Sequence, residues 1–212
     1  MKCYCVETND KFIFIVENAE KEFIENIEHA WFKLDNGKYI KEYPNNFDDK
    51  EVIRSNFQRL GEEMFQSKGD WKESLQLLAK KCLENNIEWY ITGSISEAVM
   101  GVDIIPHDID FITHERNFYK VKELFIDYIV EPFVDNKGMY SWFPQYFGRL
   151  CINGVMVDVA ADKKMNFENY NYKKILWEGY LFNIEQLETR YEIEKQRNRI
   201  ERINKIEEYM KK

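Results

Sequence analysis

Residues 92–113, TGSISEAVMGVDIIPHDIDFIT, decide the fold of this chain. Gly93 and Ser94 close a hydrophobic run that begins at Ile87, a spacer follows, and Asp108 and Asp110 then enter a second hydrophobic run. On a strand the side chains of residues i and i+2 share a face, so the two aspartates aim their carboxylates at one region. Carboxylates that close repel unless a proton or a cation lies between them. Mg²⁺ suits such a place, because it takes oxygen ligands and keeps part of its shell for substrate phosphates. The Gly-Ser turn offers backbone N–H groups to those phosphates. A polar turn after Pro106 is the competing reading. It leaves Ile109, Phe111 and Ile112 unexplained, since these read as a strand entering a core.

Further along, residues 147–152 and 155–160 read as a hairpin joined at Asn153-Gly154, a dipeptide that favours tight hairpin turns. In its second strand Met156, Asp158 and Ala160 share one face, and Val155, Val157 and Val159 the other. A lone Asp in an apolar strand is costly to bury unless it is paired or liganded. Asp158 is therefore the candidate third carboxylate. A salt bridge to Arg149 on the partner strand is the alternative, and Arg149 is also a candidate phosphate contact. His107 either touches a phosphate or the leaving group, or shapes the turn before Asp108. Ser94 can give its hydroxyl to a phosphate or act as a plain helix cap, and the two roles are compatible.

This order of residues resembles the DNA polymerase β-like nucleotidyltransferase superfamily. Its signature is a hydrophobic residue, Gly, then Gly or Ser, a spacer, an Asp-hydrophobic-Asp pair on a strand, and a third carboxylate on a later strand. Gly93 and Ser94 match the first element, Asp108, Ile109 and Asp110 the second, and Asp158 in VMVDVA the third. The His-Asp-Ile-Asp form of residues 107–110 is most similar to the branch containing lincosamide and aminoglycoside nucleotidyltransferases. The resemblance covers residues 87–162, and the rest of the chain matches nothing residue by residue.

The resemblance implies an α+β fold, with a mixed β-sheet flanked by helices. It implies transfer of a nucleoside monophosphate from an NTP, ATP among them, to an acceptor hydroxyl with release of pyrophosphate. Asp108 and Asp110 would hold one Mg²⁺ against the triphosphate, and with Asp158 a second; Asp158 could also take the acceptor proton. Gly93, Ser94, His107 and Arg149 would be the nucleotide contacts. The acceptor implied is a small hydroxylated molecule, with antibiotics as one class. A toxin-type enzyme acting on tRNA or protein, and a non-catalytic member that binds a nucleotide or a partner, stay open as alternatives.

Composition narrows these choices. The chain has 212 residues and 44% hydrophobic content, enough for one large domain or a catalytic domain with a small companion. A formal charge of −8 argues against a broad nucleic-acid footprint, though not against tRNA at one local groove. No apolar run approaches the ~20 residues of a membrane span, and the N-terminus turns polar too soon for a signal peptide, so the expected location is the cytoplasm. Cys3, Cys5, Cys82 and Cys151 read as buried thiols of a reducing compartment rather than a zinc site. His29, His107 and His114 are too scattered in sequence to suggest a metal cluster.

Residues 1–45 read as a small β-rich module, with strands at 3–6, 11–16, 30–34 and 38–43 and a short helix at 19–27. Residues 46–183 are the expected catalytic domain. Asp48 or Asp49 would cap a helix whose apolar stripe is Ile53, Phe57, Leu60, Met64 and Phe65, and Asp70 another with Leu75, Leu78, Ala79 and Leu83 inward. A helix is expected at 115–127 and a strand at 128–134. The loop at 136–144 carries Tyr140, Trp142 and Phe143, which suit packing or ring stacking. Lys163 is a further candidate phosphate contact. Residues 184–212 are expected to form one long charged helix, for which the resemblance implies a part in closing the substrate cleft, with an irregular heptad that leaves helix-mediated oligomers open.

Overall fold

The computed structural model describes residues 1–67, 69–136, 144–162 and 172–212. The aromatic loop residues Tyr140, Trp142 and Phe143, and Lys163, lie outside the described residues. The first sheet is antiparallel, with strands β1 (Lys2–Glu7), β2 (Lys11–Glu17), β3 (Lys33–Asp35) and β4 (Lys38–Pro44) in the order β1-β2-β4-β3. Alternation explains its buried face: Phe12, Phe14 and Val16, at i, i+2 and i+4 of β2, are all fully buried. A short helix α1 (Ile24–His29) connects β2 to β3.

Helix α2 (Lys50–Gln66) packs against β1 of this sheet and against a strand of the second, so the two sheets share one apolar core. Its stripe of Ile53, Phe57, Leu60, Met64 and Phe65 is buried as the spacing predicts. Asp49 does not cap it through its side chain. That carboxylate instead reaches Lys122 at 2.6 Å, and Asp49 itself adopts a left-handed conformation. Asp70 does cap α3 (Trp71–Glu84), accepting from the Lys72 N–H at 2.8 Å. Leu75, Leu78 and Ala79 face inward, but Leu83, expected in the same stripe, is 71% exposed, and Cys82 takes the buried place in that last turn.

The second sheet has seven strands in the order β10-β11-β5-β6-β9-β8-β7. Its centre is β5 (Trp89–Thr92), β6 (Asp108–His114) and β9 (Val155–Asp162). Strands β5 and β6 are antiparallel, and β6 and β9 parallel. Helix α4 (Gly93–Met100) leaves β5 directly, and α5 (Glu115–Leu124) leaves β6. The expected helix over 115–127 ends sooner, its last residues forming a 3-10 turn before β7 (Ile129–Asp135). The hairpin of β8 (Tyr146–Ile152) and β9 turns at Asn153-Gly154, both at positive φ, as that dipeptide requires.

The tail departs from expectation. Ile184 is not helical but buried in β11 (Tyr180–Glu185), beside Ile91 of β5. Strand β11 forms a hairpin with β10 (Tyr172–Trp177), turning at Glu178-Gly179 with both residues at positive φ. The rest is two helices rather than one, α6 (Leu187–Gln196) and α7 (Ile200–Met210). Asn198 in the left-handed region breaks them apart.

Candidate active site

Strand register assembles the site. Thr92 on β5 lies opposite Asp110 on β6, Asp110 beside Asp158 on β9, Asp158 opposite Arg149 on β8, and Arg149 opposite Glu131 on β7. Paired residues project from the same face, so one polar row crosses five strands. Asp108 sits two residues before Asp110 on that face. Asp108, Asp110 and Asp158 each bring an oxygen within 4.8 Å of the others. Among the described residues this is the cluster whose hard oxygen donors fit Mg²⁺.

The three carboxyls differ in their surroundings. Burial and the charges of Asp108 and Asp158 push Asp110 well above the ordinary carboxylate range, so it favours a proton unless a cation replaces it. Burial raises Asp158 too, against the pull of Arg149. Burial also acts to raise Asp108, but the hydrogen bond and charge of His29 outweigh it and hold the group below its usual value. His29 Nε2 lies 3.0 Å from Asp108 Oδ2, and that hydrogen bond raises the imidazole in turn, against its own burial. His29 comes from the end of α1, in the N-terminal module.

Gly93 fits for two reasons. Its φ is +66°, and an added Cβ would stand 1.9 Å from Asp110 Oδ2. The glycine thus lets the start of α4 lie directly against a carboxylate of the cluster. No side chain caps α4, and the Thr92 hydroxyl donates to Glu185. Its first N–H groups therefore remain available to a ligand anion. Ser94 is buried in that first turn. His107 is exposed, its ring centre 6.2 Å from that of His29, and its charge acts on Asp108.

Arg149 occupies a different place from a phosphate contact. It is fully buried, and its guanidinium donates to Asp158 at 2.6 and 3.0 Å, to Glu131 at 2.8 Å and to the Ala30 carbonyl at 3.0 Å. The salt-bridge reading and the third-carboxylate reading of Asp158 therefore hold together in one geometry. Behind Arg149, Glu131 also accepts from Tyr43 at 2.6 Å and from Lys41, both on β4. Burial acts to raise Glu131, but Arg149, Lys41 and Tyr43 outweigh it and keep the group below its usual value.

Sequence reasoning missed Glu131 on β7 and, within residues 1–45, His29, Trp31, Lys41 and Tyr43. Trp31 is 41% exposed, holds φ of +66° and stands 5.1 Å from the Arg149 guanidinium. A bulky residue in that region of φ is strained. Its position beside the site was signalled by nothing local in the sequence.

No protein-family model matches the chain, and no curated protein matches it by sequence. Solved structures do. A candidate nucleotidyltransferase from Thermotoga maritima is 20% identical over 66% of this chain and 92% of its own, with a TM-score of 0.51. A lincosamide antibiotic adenylyltransferase with lincomycin bound is 10% identical over 57% and 84%, at a TM-score of 0.43. A nucleotidyltransferase-like antigenic protein from Paracoccidioides brasiliensis is 15% identical over 64% and 74%, at 0.40. The α+β architecture, with a mixed sheet bearing the paired aspartates after a glycine turn, is the nucleotidyltransferase fold.

Proposed function

We propose that this chain is an Mg²⁺-dependent nucleotidyltransferase that moves a nucleoside monophosphate from an NTP to a hydroxyl group of a small molecule. The observation that carries the reading is the convergence of Asp108, Asp110 and Asp158 within 4.8 Å, against a glycine turn that opens an uncapped helix. Asp108, Asp110 and Asp158 would hold the metal, which when bound supplies charge neutralisation and Lewis acidity at the phosphates. The N–H groups of the Gly93 turn would orient the triphosphate. In the reaction the acceptor oxygen bonds to the α-phosphorus, the bond to the bridging oxygen breaks, and pyrophosphate leaves. Asp158, held by two bonds from Arg149, would receive the acceptor proton. His29 positions Asp108.

The small-molecule acceptor is supported by the resemblance of residues 107–110 and by the charge of −8, which disfavours a long polyanion. In this reading residues 1–45 supply the acceptor side through His29 and Trp31, residues 46–183 carry the chemistry, and residues 184–212 buttress the glycine-turn helix.

Thermal unfolding with ATP, GTP, CTP and UTP, with and without Mg²⁺, tests the proposal. Ligand at ~100 times its dissociation constant stabilises by about 2.7 kcal/mol, or about 5–11 °C for a chain this size. The shift should require Mg²⁺ and vanish in Asp108→Asn/Asp110→Asn. A wild-type protein indifferent to all four nucleotides would sink the proposal. One observation favours a second reading: both Asp158 oxygens already accept from Arg149, as suits a site that binds nucleotide without turnover. Mg²⁺-dependent binding without pyrophosphate release, across a panel of hydroxylated acceptors, would select it.

A further inference from the structure

Helices α6 and α4 run antiparallel. Leu187, at the start of α6, packs with Val102 just beyond the end of α4, and Arg190, one turn on, donates to Glu97 in the middle of α4 at 2.9 Å. From that contact α6 continues for six residues to Gln196, about 9 Å, while Gly93 lies four residues back along α4, about 6 Å at the same rise. The end of α6 thus lies on the Gly93 side of that contact. There the chain makes a tight corner. Arg199 N–H bonds to Glu194 O at 3.1 Å and Asn198 N–H to Lys195 O at 3.0 Å, with Asn198 at φ 54°. This is a Schellman closure, and Arg197 is the residue it fixes at the helix end.

Arg190 and Arg197 are among the charges that act on the Asp110 carboxyl. Arg190 is buried and committed to Glu97, Glu194 and Glu185. Arg199 and Arg202 pair with Glu194. Arg197 is exposed, and among the described residues it makes no ion pair. The neighbourhood is rich in carboxylates, so a bound triphosphate there needs a cation beyond any metal, and Arg197 is the side chain uncommitted to another partner.

We infer that Arg197 is the arginine that binds the β- and γ-phosphates of the NTP, reaching the Gly93 turn from the α6–α7 corner. The inference rests on the nucleotidyl-transfer reading and deepens it: the site then selects triphosphates over monophosphates, and the tail is a working part of the nucleotide site. Arginine suits the role because its planar fork matches phosphate oxygens.

The test is calorimetric titration of the full chain with Mg·ATP, Mg·tripolyphosphate and AMP, using wild type, Arg197→Ala, Arg197→Lys and Arg199→Ala. Arg197→Ala should weaken Mg·ATP and Mg·tripolyphosphate about tenfold or more, the range of a charged hydrogen bond, and leave AMP unchanged. Arg197→Lys should recover part of the loss, and Arg199→Ala should bind like wild type. Unfolding temperatures matching wild type would confirm that the exposed substitutions leave the fold intact. Equal affinity of Arg197→Ala and wild type for Mg·ATP overturns the inference while the nucleotide reading stands. An equal loss for AMP, or the same loss in Arg199→Ala, also overturns it. A wild-type protein that binds neither Mg·ATP nor Mg·tripolyphosphate overturns both.

Discussion

Replacing Arg149 by Met tests the polar row most directly. The guanidinium is wholly buried and makes four hydrogen bonds, two to Asp158, one to Glu131 and one to the Ala30 carbonyl. Methionine fills much of the volume but supplies no donor, so Glu131, itself fully buried, faces Lys41 and Tyr43 alone, and Asp158 loses its cation. Breaking a buried ion pair from one side costs about 3–5 kcal/mol. At roughly 2–4 °C per kcal/mol for a chain this size, the unfolding temperature should fall by about 6–20 °C. Thermal unfolding followed by circular dichroism at neutral pH, without nucleotide, reads this directly. Arg149→Lys should fall between the two, since it keeps the charge but loses the fork. Adding Asp158→Asn to Arg149→Met should restore part of the loss, because it removes the carboxylate left without its cation. If Arg149→Met unfolds within the shift expected for about 1 kcal/mol of the wild type, or if Asp158→Asn makes it worse, the row is not a coupled buried network and the reasoning fails.

Gly93→Ala should fold, losing about 1–2 kcal/mol from the left-handed backbone, yet lose Mg·ATP binding, because its Cβ displaces the Asp110 carboxyl; calorimetry showing wild-type affinity would refute the close approach. His29→Ala should cost under about 1 kcal/mol of stability, since the His29 side chain is 48% exposed, while weakening Mg²⁺ binding by freeing Asp108; an unchanged Mg²⁺ titration would remove His29 from the site. The alkaline pH profile follows from two opposed groups. Burial, only partly offset by Glu131, holds Lys41 down from 10.5 to about 8, so above about 8 the unfolded chain binds more protons and stability rises with pH. Burial pushes the thiols of Cys3, Cys5, Cys82 and Cys151 up from 9.0 to about 12, so above 9.0 the folded chain keeps protons that the unfolded chain loses, and stability falls. Four thiols outweigh one amine before 9.0 is reached, so urea titrations should show a maximum between about 8 and 9, and Lys41→Met should abolish the rise before it; a fall that starts at neutral pH would contradict the burial of Lys41.

What could be read in the sequence was local. The pairing of Asp108 with Asp110 follows from strand alternation, the turn at Asn153-Gly154 from a dipeptide preference, and the cap at Asp70 from one side chain and two N–H groups. Asp158 stood out because a carboxylate among valines must be compensated. The contribution of the N-terminal module was hidden, since His29 meets Asp108 across 79 positions of chain and Lys41 meets Glu131 across 90. Nothing in the neighbourhood of either residue announces its partner. Arg149 was left open between a salt bridge to Asp158 and a phosphate contact; only the register that sets Glu131 and Asp158 on either side of it decides for the buried bridge. The end of the sheet was misread for another reason. Charged residues around Ile184 suit a helix, and the parallel contact of β11 with β5 overrides that local preference.

The row from Thr92 to Glu131 also has a meaning for folding. A strand displaced by one residue turns every side chain to the opposite face. For β8 such a slip would drive Arg149 into the apolar side of the sheet, and for β9 it would send Asp158 there and Val157 and Val159 toward the carboxylates. An unpaired buried charge costs several kcal/mol, so each misalignment of these central strands is penalised as it forms. The groups proposed to handle metal and phosphate thus serve as alignment marks for the β-sheet, and neutralising them singly should broaden the ensemble of strand pairings sampled during refolding, even where the final structure survives.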